Sequence, residues 1–144
     1  NKLVGFRNVD MNNIPADLKG YDFCWSSCAF EHLGSIELGL KFVESSLTCL
    51  KPGGVAVHTT EYNCQSNHKT LAQGGTVIFR QRDILELAKR LRSAGHQLFL
   101  NLNQGNQDLD KHVDMPPYAQ DHHLKLQLDK YVTTSIGLVV QKAM

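Results

Sequence analysis

The sequence carries almost no net charge and contains no long apolar run. Its 144 residues include 15 basic and 14 acidic ones, which gives a formal charge of +1 at pH 7. Nucleic acids and anionic membranes are bound by clustered positive charge, so we expect neither kind of partner. A membrane-spanning helix needs roughly 18 consecutive apolar residues, a length that no stretch of this sequence approaches. We therefore expect one globular domain covering residues 1–144.

Cysteines are few, and no leader is visible. The four cysteines form no Cys-x-x-Cys pair, and the first ten residues lack the basic flank and apolar core of a signal peptide. A chain of this length with 42% hydrophobic residues can build a core without disulfides. These features predict reduced thiols and a cytoplasmic location.

The common phosphate-binding and nucleophile motifs are also missing. The sequence has no Gly-x-x-x-x-Gly-Lys phosphate loop and no Gly-x-Ser-x-Gly nucleophile elbow. Gly53 and Gly54 stand before a strand-like segment, whereas a dinucleotide fingerprint places its glycines after a strand. We interpret this pair as a chain reversal, which disfavours a nucleotide- or NAD-dependent enzyme.

Two segments have the periodicity of amphipathic helices. The first spans residues 36–50, with apolar residues spaced by four, three, four and three, and Ser35 is its predicted N-cap. It is expected to end at residues 51–54, because Pro52 cannot continue a helix. The second spans residues 83–94, and Gly95 is expected to terminate it.

Short runs of aromatic, β-branched and alternating apolar residues predict strands. The runs cover residues 3–7, 21–25, 55–60, 97–102 and 131–140, and the run at 21–25 is expected to be buried. Their alternation with helices predicts an α/β sheet that is mostly parallel and finishes with an antiparallel pair. Polar stretches predict loops at 10–19, 63–75 and 103–121, and the last is long enough to suggest a functional role. Residues 122–128 are ambiguous.

Three segments occur in a distinctive order. They are VDMNNIP at 9–15, YDFCWSS at 21–27 running on to EHL at 31–33, and CLKPGGV at 49–55. Their order and spacing resemble the second half of a class I S-adenosylmethionine-dependent methyltransferase of the broad type 11/12 kind. The resemblance implies a partial, doubly wound Rossmann-like sheet, S-adenosylmethionine as cofactor, and methyl transfer to a small-molecule oxygen or nitrogen.

The glycine-rich first motif of that family has no counterpart in the sequence. The resemblance therefore predicts a truncated protein, the C-terminal portion of a methyltransferase domain, whose isolated chain is inactive and binds the cofactor weakly or not at all. The alternative is a catalytically inert α/β fragment or interaction module that has lost cofactor binding. In the resembled fold the strand at 21–25 would be central, so the missing neighbour exposes its edge. We expect a homodimer through residues 21–25 or 3–7.

The resemblance also assigns cofactor contacts. It places Asp10 and Met11 near the adenine, and Ser26 and Ser27 beside the methionine portion of the cofactor. The two serines follow a strand at its carboxyl end, where ligands of open α/β sheets bind. Ordinary turn and loop roles are the alternatives for these residues.

Acceptor contacts are expected at the same sheet edge. Glu61, Tyr62 and Asn63 follow the next predicted strand and are candidates for binding the methyl acceptor. Ordinary loop chemistry explains these three residues equally well.

Glu31 and His32 are the candidate catalytic pair. Methyl transfer to oxygen needs a base or a metal, and both side chains can serve as either. Some members of the resembled family, the ubiquinone-pathway O-methyltransferases and the small-RNA 2′-O-methyltransferases, carry Glu-x-x-Glu-His and bind a divalent cation there. Here Cys28 replaces the first Glu, and a thiol is a poor ligand for magnesium. Structural and acid/base roles stay open, and a metal, held by Glu31 and His32 with His68, is the least favoured.

Overall fold

The computed structural model describes residues 3–119 and 123–144. In these ranges the strands are β1 Tyr21–Ser26, β2 Leu50–Asn63, β3 Gln97–Leu100, β4 Leu126–Leu128 and β5 Tyr131–Gln141. The α-helices are α1 Ile36–Ser46, α2 Gln81–Ser93 and the short α3 Asp108–Lys111. Short 3-10 turns at Phe30–His32 and Leu47–Cys49 flank α1. Residues 120–122, which belong to the predicted long loop and the ambiguous segment after it, lie outside the described ranges.

The strands form one open sheet in the order β1-β2-β5-β3, and β4 also pairs with β5. β1 and β2 are parallel, whereas β5 runs antiparallel to β2, β3 and β4. The predicted antiparallel ending is therefore confirmed, with the last strand inserted between β2 and β3. The prediction of a mostly parallel sheet is wrong, because only β1 and β2 pair in parallel among the described residues and every pairing of β5 is antiparallel. Within the described residues β1 has a strand partner on one side only, so it is an edge strand.

Helix α1 begins where the sequence predicts. The Ser35 hydroxyl accepts a hydrogen bond from the backbone amide of Leu38 at 3.2 Å and so caps the first turn. The helix ends at Ser46, earlier than predicted, because the backbone tightens into the 3-10 turn and Leu50 is already extended for pairing with β1. Gly53 takes a φ of +75° inside β2, where the register with β1 shifts between Tyr21 and Phe23. The glycine pair therefore belongs to a bulge in the strand, and the predicted chain reversal is wrong.

Helix α2 starts two residues before its predicted position. Arg80 caps it: its backbone amide donates to the Asp83 carboxylate at 2.9 Å, and its guanidinium binds the same carboxylate. Arginine is not among the usual N-cap residues, which explains the misplaced start. The end is as predicted, with Gly95 at a φ of +83°.

The helices cover one face of the sheet. Helices α1 and α2 are joined by a bidentate ion pair between Arg90 and Glu37, and the core lies between these helices and the inner face of β2 and β5. A doubly wound sheet requires helices on both faces; α1 and α2 share one core and so lie on the same face, which leaves the doubly wound prediction unconfirmed. None of the helices in these ranges combines the length and apolar character needed to cross a bilayer.

Two strand predictions are wrong in part. Residues 3–7 form no strand, and Leu3 and Phe6 are about as exposed as in an extended chain, at 90% and 91%. The 21–25 run is a strand but is not buried, since Phe23 and Trp25 are 54% and 70% exposed. Their side chains lie on the sheet face that α1 and α2 do not cover, and an apolar sequence run does not specify which face is covered.

Candidate functional site

The candidate site lies where the parallel strands β1 and β2 end. The segment that follows β1 is fastened to β2, because the backbone amide of Cys28 donates to the Thr59 carbonyl at 3.1 Å and to its hydroxyl at 3.0 Å. Cys28 adopts a φ of +42°, a left-handed conformation that is uncommon outside glycine. This turn brings Cys28 beside residues from the following 3-10 turn and from the end of β2.

Three potential ligands meet at this point. One side-chain atom from each of Cys28, Glu31 and Glu61 lies within 4.8 Å of the others. Glu31 is 1% exposed and accepts a hydrogen bond from the Thr60 hydroxyl at 3.1 Å, and burial raises the pKa of its carboxyl. Oε2 of Glu61 is buried and has no hydrogen-bond partner among the described residues.

His32 faces a different environment from its neighbour Glu31. Its Nδ1 donates to the Gly75 carbonyl at 2.8 Å and lies 3.1 Å from the Thr76 hydroxyl. Because a carbonyl can only accept, Nδ1 carries the proton and Nε2 keeps a free lone pair. The structure thus separates the predicted pair: Glu31 is buried in the group of three, while His32 is exposed.

Neither His32 nor His68 belongs to the group of three ligand atoms in the described residues. His68 is exposed in the loop after β2, where its carbonyl accepts from the Arg80 guanidinium at 2.8 Å.

A buried histidine links the end of β1 to helix α1. The Ser46 hydroxyl donates to the Val43 carbonyl at 2.7 Å, so its oxygen accepts from Nε2 of His58 at 3.1 Å. Nε2 therefore carries the ring proton, and Nδ1 of His58 accepts a hydrogen bond from the Ser26 hydroxyl, with 2.8 Å between nitrogen and oxygen. Burial lowers the pKa of His58 to about 4. The network could not be predicted from the sequence, because Ser26 and His58 become neighbours only through the register of β1 and β2.

The three other predicted cofactor residues, Asp10, Met11 and Ser27, have different surroundings. Asp10 is exposed and its carboxylate accepts from the Asn12 amide at 2.9 Å, which gives it a turn role. Met11 is partly buried against the core. The Ser27 hydroxyl is exposed and lies 3.5 Å from that of Thr59. Their contacts with a cofactor stay predictions.

Two adjoining cavities open near the end of β2. The smaller, about 230 Å³, is lined by Glu61, and the larger, about 390 Å³, by Tyr62; both include Thr134 and Ser135. The predicted long loop contributes residues 103–105 and 110 to the larger cavity. The Asn63 side chain already has hydrogen-bond partners within the protein. Its amide group donates to the Lys69 carbonyl, and its oxygen accepts from two backbone amides of the loop.

Comparisons with known proteins give the fold. No protein-family model matches the sequence, and neither does any curated protein. Among solved structures, the [4+2]-cyclase SpnF is similar, with a TM-score of 0.56 and 17% identity over 96% of this chain and 56% of SpnF. A S-adenosylmethionine-dependent methyltransferase from Clostridium acetobutylicum ATCC 824 is similar with a TM-score of 0.50 and 13% identity, over 94% and 63% of the two chains.

The chain thus spans a little more than half the length of each of these two structures. Identities this low carry information on architecture and not on activity. The similarity to both structures extends over nearly all of this chain. The chain has a methyltransferase-like fold.

Proposed function

We propose that this chain forms part of a S-adenosylmethionine-dependent methyltransferase that transfers a methyl group to an oxygen or nitrogen of a small molecule. The main support is the convergence of polar side chains at the carboxyl edge of β1 and β2, next to two cavities. In open α/β sheets, ligands bind at this edge.

The cofactor would lie along the end of β1. The Ser26 hydroxyl donates a hydrogen bond to His58, so the lone pairs of its oxygen can accept hydrogen bonds from the ammonium group of the methionine portion. Ser27 adds a second, exposed hydroxyl. Met11 offers an apolar contact and Asp10 a carboxylate for the adenine end. When bound, the cofactor supplies an electrophilic methyl group on a sulfonium.

The acceptor would lie against Glu61 and Tyr62, which line the cavities. His32 is the proposed base, because the Gly75 carbonyl fixes its Nδ1 proton and leaves the Nε2 lone pair available. Positioning of the acceptor in line with the methyl group supplies most of the remaining rate enhancement.

The alternative is an interaction module without cofactor. The observation that favours it is the exposed apolar sheet face, where Phe23 and Trp25 are more than half uncovered.

An NMR titration of the isotope-labelled chain with S-adenosylmethionine separates the two functions. We expect small, saturable chemical-shift changes at Ser26 and Ser27, with a dissociation constant on the order of 1 mM. Binding should be weak because only one strand end and one loop of the described residues would contact the cofactor. Ser26→Ala should weaken binding, while Ser93→Ala, at the opposite end of the fold, should not. Absence of any shift would contradict the proposed cofactor site in this chain, and a dissociation constant in the low micromolar range or tighter would show that the site is misplaced.

A further inference from the structure

The group formed by Cys28, Glu31 and Glu61 differs from the ligand set that the sequence resemblance implies. That set contains Glu31 with His32, and His68 was its candidate third member. The structure instead brings a thiol and two carboxylates together within 4.8 Å. The His32 ring is turned to the Gly75 carbonyl and is not in the group.

The arrangement is unfavourable without a bound cation. Glu31 is almost completely buried, and the only side-chain donor to its carboxylate in the described residues is Thr60. Oε2 of Glu61 is buried without any donor among these residues. A buried polar atom that lacks a partner costs about 1–3 kcal/mol, and more when it is charged. A divalent cation would satisfy this oxygen and offset the repulsion among three groups that can each carry negative charge.

The backbone holds the three side chains in place. Cys28 is tied to Thr59 by its amide, and the Glu31 carbonyl accepts from the Val77 amide at 2.9 Å. Glu61 lies within the ladder between β2 and β5. Ligands on anchored segments lose little conformational freedom on binding, which favours a specific site over incidental proximity.

We propose that Cys28, Glu31 and Glu61 bind a divalent cation of the zinc class and leave one coordination position open. Magnesium takes oxygen ligands in a near-octahedral shell, whereas zinc and cobalt accept thiolate together with carboxylate. Glu61 also lines the smaller cavity, and the Cys28 sulfur lies 3.6 Å from the Ser135 hydroxyl on its wall. A cation held by these residues would therefore lie beside this cavity. This site stands independently of the proposed methyl transfer.

Cobalt is the probe, because a thiolate ligand gives it a charge-transfer absorption in the near ultraviolet. We expect one equivalent of Co²⁺ to produce this band in the metal-free chain, Zn²⁺ to abolish it, and excess Mg²⁺ to leave it unchanged. Cys28→Ser should remove the band, and Glu61→Gln should weaken cobalt binding by about 100-fold or more. Cys64→Ser is the matched control, since Cys64 is a partly buried free thiol outside the group.

Circular dichroism and urea unfolding establish that each variant folds. If Cys28→Ser does not fold, Cys28→Ala provides the same test, because it also removes the sulfur ligand. The proposal is overturned by absence of the band in the wild-type chain, by a band that survives loss of Cys28 but not of Cys64, or by equal competition from Mg²⁺.

Discussion

The Ser26 hydroxyl lies 2.8 Å from Nδ1 of His58, and this hydrogen bond joins the last residue of β1 to the middle of β2. On the other side of the ring, Nε2 donates to Ser46 in helix α1. Phe30 and Phe42 pack edge-on against the imidazole, with ring centroids 6.2 and 5.5 Å away. One neutral ring thus holds two strands and a helix together beneath the candidate cofactor edge.

The first prediction is that His58 makes the fold sensitive to acid. Its pKa is 6.5 in an unperturbed setting and about 4 in the folded chain, so the unfolded chain takes up a proton first as the pH falls. The stabilisation is complete above about pH 6.5 and is lost progressively towards pH 4, by on the order of 3 kcal/mol.

Urea unfolding between about pH 7.5 and pH 4.5 measures this loss. His58→Gln should lower stability at neutral pH and flatten the dependence on pH. His68→Gln, in an exposed loop, should leave both unchanged. A wild-type profile that matches that of His58→Gln would contradict the prediction.

The second prediction concerns the buried ion pair at the start of α2. Arg80 Nε lies 2.7 Å from Asp83 Oδ2, and both side chains are about 10% exposed. Asp83→Ala would leave the guanidinium buried without its counter-charge and remove the helix cap. We expect a loss of about 3–5 kcal/mol in the free energy of unfolding, measured by urea denaturation.

Glu86→Ala is the control for this change. Glu86 pairs with Arg90 on the same helix, but its side chain is 48% exposed, so its removal should cost less than about 1 kcal/mol. Equal losses in the two variants would show that burial does not strengthen the Arg80–Asp83 pair.

The third prediction tests His32 as the base. In a complete enzyme that contains this segment, His32→Ala should lower kcat by on the order of 100-fold, because the acceptor would lose the base that takes its proton. His112→Ala, an exposed histidine outside the site, is the control. Turnover within about threefold of the parent would leave His32 a structural role only.

The helices were predictable because their signals are local. The Ser35 hydroxyl caps a turn three residues away, and Gly95 ends α2 with a conformation that suits glycine. Strand positions followed from composition, but the exposure of Trp25 did not, since burial of a strand depends on what packs against each face.

The candidate site was harder to predict for the same reason. Cys28 and Glu31 are close in sequence, yet Glu61 joins them only because β1 and β2 pair in parallel. The sequence resemblance grouped Glu31 with His32, but adjacent residues on a 3-10 turn point in different directions. Contacts across a sheet depend on register, which the sequence does not state directly.

The exposed edge of the sheet leads to the last prediction. β1 pairs only with β2 in the described residues, so the other side of its backbone has free amides and carbonyls. Phe23 and Trp25 are exposed beside this edge, and Phe6 is exposed in the segment that precedes it. Unpaired, apolar edges pair readily with another chain, and a two-fold axis lets the same strand serve on both sides.

We therefore expect a homodimer, with a mass by light scattering of about twice the 16.1 kDa chain. Trp25→Lys should give a monomer if β1 forms the interface. Burying a lysine charge there would cost more free energy than strand pairing between the two chains supplies. Phe6→Lys should do so if the interface is formed by residues 3–7. Phe99→Lys places the same charge on exposed β3, at the opposite edge of the sheet, and should leave the dimer intact. A single-chain mass at all concentrations would exclude the dimer, and dissociation by Phe99→Lys alone would move the interface to β3.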